Sequence, residues 1–123
     1  MVVVDASAFA AVVFSEAHGE RVLEQLKHAD GVTAPAILPF ELANTARTKI
    51  RQRPSEASTL KRNLADALDR GVVLRRVDFV AVVELALETS LSAYDASYLW
   101  LARNLGVPLI TLDRKLAAHA EKR

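Results

Sequence analysis

Four short apolar runs recur along the chain: Val2-Val3-Val4, Val32-Thr33-Ala34, Val72-Val73-Leu74 and Leu109-Ile110-Thr111. Each is rich in β-branched residues and only three residues long, the pattern of a strand buried on both faces of a parallel sheet. Helix-length segments separate them. Strands alternating with helices make βαβ units, and such units cross over right-handedly. The expected fold is therefore α/β: a single-domain three-layer sandwich over residues 1–123, with a parallel four- or five-stranded sheet flanked by helices.

Local signals place the helices. After the first strand, Asp5 or Ser7 can cap a buried helix over 8–15. His18-Gly19 breaks it, and a helix over 20–27 turns Val22, Leu23 and Leu26 to one face. Pro39 opens a helix over 39–51, since its missing N–H is not needed in a first turn. Pro54 ends that helix by pushing Arg53 out of the α region. Ser55 is expected to cap the next, and Gly71 to close it. Asp78 caps a helix over 79–89 with Val82, Val83, Leu85 and Ala86 inward. A helix over 94–105 stops at Gly106, and Asp113 caps a last helix that runs to 123.

At 123 residues the chain suits one domain, and 51% hydrophobic against 25% charged residues argues against disorder. It has no cysteine, which removes disulfides, zinc-thiolate sites and thiol nucleophiles. The N-terminus lacks a basic leader, and no apolar run nears the ~20 residues of a membrane span. A cytoplasmic protein with no membrane partner is expected. The formal charge is +1. Neutralising four of its acids would leave the remaining surface mildly basic, which permits a nucleic-acid partner.

Four acids stand at junctions where an open sheet of this kind gathers functional groups. Asp5 and Asp113 follow strands, and Glu41 and Asp95 fall in first helical turns. Each has an ordinary explanation as a cap or as a charge complementing the helix dipole. Asp95 fits that explanation least well. Tyr98, Leu99 and Ala102 share its face, so it should be buried, and no Lys or Arg lies within a helical turn to pair with it. Carboxylates ~4 Å apart repel by roughly 1–4 kcal/mol per pair. Four together call for a cation. With no cysteine and no clustered histidine, hard oxygen donors suit Mg²⁺ or Mn²⁺.

Other chemistry finds little support. His18, His28 and His119 are isolated in polar settings. There is no G-x-S-x-G, no glycine-rich phosphate loop and no H-E-x-x-H. A phosphoacceptor receiver would want paired acids after the first strand and a Lys after the last. Ser7 and Thr111, each two residues from an acid, could hydrogen-bond a metal ligand or serve only as cap and strand residue. Arg47, Lys49, Arg51 and Arg53 form a basic run in which Arg47 and Arg51 share a face. That face is either solvated or a phosphate contact. Tyr94, Tyr98 and Trp100 read as core.

Val2-Val3-Val4-Asp5-Ala6-Ser7, Glu41-Leu42-Ala43-Asn44, Tyr94-Asp95-Ala96-Ser97-Tyr98-Leu99 and Leu109-Ile110-Thr111-Leu112-Asp113 together resemble the PIN-domain ribonucleases, in particular the VapC toxins of prokaryotic toxin–antitoxin pairs. The resemblance spans nearly the whole chain. It implies that Asp5, Glu41, Asp95 and Asp113 are the catalytic and metal-binding acids, with Ser7, Thr111 and Asn44 in support. It implies a Mg²⁺- or Mn²⁺-dependent endoribonuclease acting on RNA such as tRNA or rRNA, a homodimer, and a cognate antitoxin that reaches into the acidic cleft. Arg47 and Arg51 would contact RNA. Members often add a short final strand after the last helix, which the sequence given stops short of. The other reading is a non-catalytic PIN-like module that binds RNA or protein.

Overall fold

The computed structural model describes residues 1–121. Their order is β1 (Val2–Val4), α1 (Ala6–Val13), α2 (Gly19–Lys27), β2 (Val32–Pro35), α3 (Leu38–Gln52), a 3₁₀ turn (Pro54–Glu56), α4 (Ala57–Leu68), β3 (Val72–Arg75), α5 (Phe79–Thr89), α6 (Ala93–Leu105), β4 (Leu109–Ile110) and α7 (Arg114–Glu121). The expected run of the last helix to 123 ends outside the described residues.

The four strands are all parallel, in the order β3-β2-β1-β4. Among the described residues there is no fifth. Val3 pairs with Thr33 on one side and with Leu109 on the other, so β1 is central. The chain leaves β1 towards β2 and β3 and returns to β4 on β1's opposite side. That reversal opens a crevice beyond the C-terminal ends of β1 and β4, where open α/β sheets place their ligands. Helix α6 lies against β1 and β2, and α1 packs on α2, α3 and α4. Val3, Val4, Ala8, Leu38, Leu42, Tyr98, Leu99 and Leu116 are fully or almost fully buried in one core. Burial on both faces of β1 explains why its sequence shows no polar alternation.

The cap of α1, expected at Asp5 or Ser7, is Asp5, which accepts from the Ala8 N–H at 2.9 Å. Several local expectations need correction. Ser55 lies inside the 3₁₀ turn, and α4 starts without a side-chain cap. Ser92 caps α6 by accepting from the Asp95 N–H at 3.1 Å. Leu23 and Val83 are exposed rather than inward. Val83 lies with Phe79 and Leu87 on an outward stripe of α5, four residues apart, while Val82 and Leu85 turn to the core. Tyr94 is also exposed, and Trp100 is only partly buried, so of the three aromatics read as core only Tyr98 belongs to it fully.

Gly19 opens α2 where it crosses α1 closely. A Cβ there would come within 2.3 Å of the Ala11 carbonyl oxygen, a backbone atom that cannot swing aside. Gly19→Ala is expected to lower the urea midpoint, costing about 1–3 kcal/mol of stability as overpacking does. A midpoint equal to the wild type's would contradict this packing.

Candidate active site

The crevice is built around Asp5, which leaves β1 and is almost entirely buried. Three donors hold its carboxylate. Oδ1 accepts from the Ser7 hydroxyl at 2.8 Å and from the Ala8 N–H at 2.9 Å, and Oδ2 accepts from the Thr111 hydroxyl. Those hydroxyls are themselves fixed from the segment after β4. Ser7 Oγ accepts from the Leu112 N–H at 3.1 Å, and Thr111 Oγ1 from the Asp113 N–H at 3.0 Å. The Asp5 N–H in turn donates to the Ile110 carbonyl at 3.1 Å. The ends of two neighbouring strands are thus tied through one carboxylate. Burial is the largest influence on Asp5 and pushes its pKa up. The three hydrogen bonds pull it back, and the charge of Asp95 raises it again.

Glu41 comes from the first turn of α3. Its Oε1 accepts from the Tyr98 hydroxyl at 2.6 Å. Tyr98 is buried on α6, one helical turn after Asp95, so α6 supplies one acid and positions another. Sequence reasoning missed this role; the available signal was that a buried tyrosine wants a partner for its hydroxyl. Desolvation raises the Glu41 pKa most, the Tyr98 bond lowers it, and the charges of Asp95 and Asp5 raise it. The same surroundings raise the Tyr98 phenol above its ordinary range, so it stays a donor.

Asp95 is partly exposed at the crevice mouth rather than buried as its apolar neighbours suggested. Its pKa is raised by desolvation first and by Asp113 second. A Ser92 hydrogen bond and the charge of Lys115 oppose this. Lys115 donates to the Ser90 carbonyl at 3.0 Å and forms no ion pair with Asp95. Asp113 caps α7, with Oδ1 accepting from the Leu116 N–H at 3.0 Å.

The four acids therefore share one field. The ion pairs among the described residues, Glu24–His28, Glu16–Lys49 and Glu56–Arg53, involve none of them. Glu41 Oε2 and Asp113 Oδ2 accept no hydrogen bond from the described residues, and Asp5 Oδ2 has one donor for its two lone pairs. These are hard, anionic, underused oxygens, a donor set that fits Mg²⁺ or Mn²⁺. Among the described residues no group of three or more acid or histidine side chains is arranged to hold an ion as it stands. The donor chemistry fits while the spacing is open.

Between α1 and α3 runs a cleft of about 710 Å³ that reaches Glu41, the one of the four acids that lines it, with Ala6, Ser7, Ala10, Phe40 and Asn44. Asn44 thus lines the cleft beside Glu41. Arg47 and Arg51 are exposed further along α3. His18 and His28 are exposed and His119 is partly buried on α7, none of them lining this cleft.

The raised pKa values of Asp5, Glu41 and Asp95 mean that the native state binds protons more tightly than the unfolded chain. From the ordinary values of 3.8 and 4.5 upward, these groups therefore lower stability as pH rises through their native values, with no further change above. In metal-free buffer Asp95→Asn should melt above the wild type at about pH 7.5, with the gap shrinking towards about pH 4. A gap independent of pH would contradict the shared field.

The PIN domain family model matches residues 2–122. Ribonuclease VapC3 of Pyrobaculum aerophilum is 32% identical, covering 94% of this chain and 91% of its own. Exonuclease VapC9 of the same organism is 30% identical, covering 96% and 84%. Ribonuclease VapC9 of Mycobacterium tuberculosis is 32% identical, covering 95% and 89%. The crystal structure of PAE2754 from Pyrobaculum aerophilum superposes with a TM-score of 0.82 at 28% identity, over 98% of this chain and 86% of that one. Mycobacterium tuberculosis VapC20, a sarcin–ricin loop cleaving toxin, shares the fold with a TM-score of 0.67 at 19% identity, over 97% and 95%. The parallel sheet, its reversal at β1 and these likenesses agree, and the chain belongs to the PIN domain family, with VapC ribonucleases among its relatives.

Proposed function

We propose that the protein is a metal-dependent endoribonuclease and the toxin half of a VapBC-type toxin–antitoxin pair. The observation that carries this reading is the shared field of Asp5, Glu41, Asp95 and Asp113 at the ends of β1 and β4, unpaired with any basic side chain among the described residues. These four would hold Mg²⁺ or Mn²⁺. Such an ion, when bound, activates water and neutralises charge building on the phosphate.

The chain's own residues do the placing. Ser7 and Thr111 lock Asp5 to the strand ends, and Tyr98 turns Glu41 into the crevice. Water attacks phosphorus in line with the departing 3′ oxygen. The P–O3′ bond breaks, leaving a 5′-phosphate on one product and a 3′-hydroxyl on the other. Arg47 and Arg51 would meet backbone phosphates of the RNA, a tRNA or rRNA by family resemblance. A cognate antitoxin would insert a basic side chain among the acids. Among the described residues no helix is long and apolar enough to cross a membrane. The reading places the protein's action in the cytoplasm.

A homodimer belongs to this reading. Phe79, Val80, Val83 and Leu87 of α5 are 71, 70, 52 and 79% exposed, an apolar face that a second copy would cover. Leu87→Glu should shift sedimentation to the monomer; an unchanged dimer would place the interface elsewhere.

The second reading, a non-catalytic module that binds RNA or protein, is favoured by the open spacing of the acids. A covalently closed circular RNA separates the two, and it also separates internal cutting from end-dependent digestion. The purified protein should linearise it with Mg²⁺ or Mn²⁺ and not in EDTA. Asp5→Asn should slow it on the order of 100- to 1,000-fold, as loss of an electrostatic group at a reacting centre does. Cleavage that survives EDTA or Asp5→Asn contradicts the proposal.

A further inference from the structure

The basic run on α3 divides into two sets. Lys49 pairs with Glu16 at 2.8 Å, and Arg53 with Glu56 at 3.5 Å. Arg47 and Arg51 are exposed and have no acidic partner among the described residues. At 3.6 residues per turn, positions 40, 44, 47 and 51 fall on one stripe. That stripe reads Phe40, Asn44, Arg47, Arg51, and all four are exposed. Phe40 is 73% exposed although it is a large apolar side chain; it lines the cleft next to Glu41 and, on its other side, an apolar hollow shared with Phe79, Val83 and Tyr94. Asn44 lines the same cleft, and among the described residues its main-chain carbonyl accepts from the Thr48 hydroxyl while its side-chain amide makes no hydrogen bond.

We propose that this stripe of α3 is the track of a single RNA strand entering the acidic site. Phe40 stacks a base beside the scissile phosphate, Asn44 reads an edge of that base or its neighbour, and Arg47 and Arg51 hold phosphates further along the same strand. The stripe is about 16 Å long at 1.5 Å per residue. It spans about five nucleotides at the ~3.4 Å spacing of a stacked strand. Aromatic stacking is open only to bases that are not already enclosed in a duplex, so the strand is single. A protein contact suits the stripe less well. Two-fold self-association through it would bring Arg47 and Arg51 against their own copies, whereas the outward face of α5 is apolar at Phe79, Val80, Val83 and Leu87 and meets the stripe only at its Phe40 end. The proposal rests on the nuclease reading only for the identity of the acidic site.

The test is fluorescence anisotropy of a labelled eight-nucleotide single-stranded RNA (about the length of the track plus flanks) with the full-length Asp5→Asn protein in EDTA, over a range of salt. Adding Phe40→Ala should weaken binding about tenfold with an unchanged salt slope, and Phe40→Trp should restore it. Adding Arg47→Ala and Arg51→Ala together should reduce the slope by about 1.4, at ~0.7 per single-strand phosphate contact. All variants lie on the surface and should melt with the background protein. Phe40→Ala without effect on binding, no RNA binding by the background protein, or a Phe40→Ala that dissociates a dimer while keeping RNA affinity would each overturn the proposal. Because cleavage is assayed separately, loss of the track leaves the nuclease reading standing. A protein that binds along the track without cutting keeps the track and loses the nuclease.

Discussion

The site depends on holding one buried carboxylate in place at the seam between β1 and β4. Asp5 does not sit there by burial alone, since burial works against its charge. It is fixed by Ser7, Thr111 and the Ala8 N–H, and the two hydroxyls are oriented by backbone N–H groups that follow β4. Each hydroxyl spends its one proton on the carboxylate and accepts from the main chain. The arrangement makes sheet formation and site formation one event. When β4 pairs with β1, the donors for Asp5 arrive with it.

Around this fixed acid the other three are set with progressively less constraint. Glu41 is tethered by one bond from Tyr98, Asp113 by its capping bond to Leu116, and Asp95 lies partly open at the mouth. The charge of Asp95 raises the proton affinity of Asp5 and Glu41, and that of Asp113 raises Asp95's, which Lys115 offsets without forming a pair. Such a crevice is poised to accept positive charge. A hard dication, a proton or a basic side chain would each relieve it.

Much of the fold was legible because its signals are local. Continuous β-branched runs betray strands buried on both faces, and Asp78, Gly106 and Asp113 mark helix boundaries with their own side chains or backbone freedom. The four acids were legible for the same reason, since each stands at a strand–helix junction. What the sequence hid were contacts between distant segments. Tyr98 reads as a core residue until α3 brings Glu41 to its hydroxyl. Tyr94 and Val83 read as inward because nothing local distinguishes an apolar residue facing the core from one on an unpartnered face. Ser55 looked like a cap, but the 3₁₀ turn at Pro54 absorbs it. The spacing of the acids is a tertiary property as well, and among the described residues no three of them are arranged to hold an ion as they stand.

The central claim is that these acids form one receptor for a hard dication, and thermal melting in the presence and absence of metal tests it without any RNA. Mn²⁺ or Mg²⁺ should raise the Tm of the wild type by preferential binding to the native state and leave that of Asp95→Asn unmoved. A melting temperature indifferent to metal in both proteins, or raised equally in both, would contradict the account.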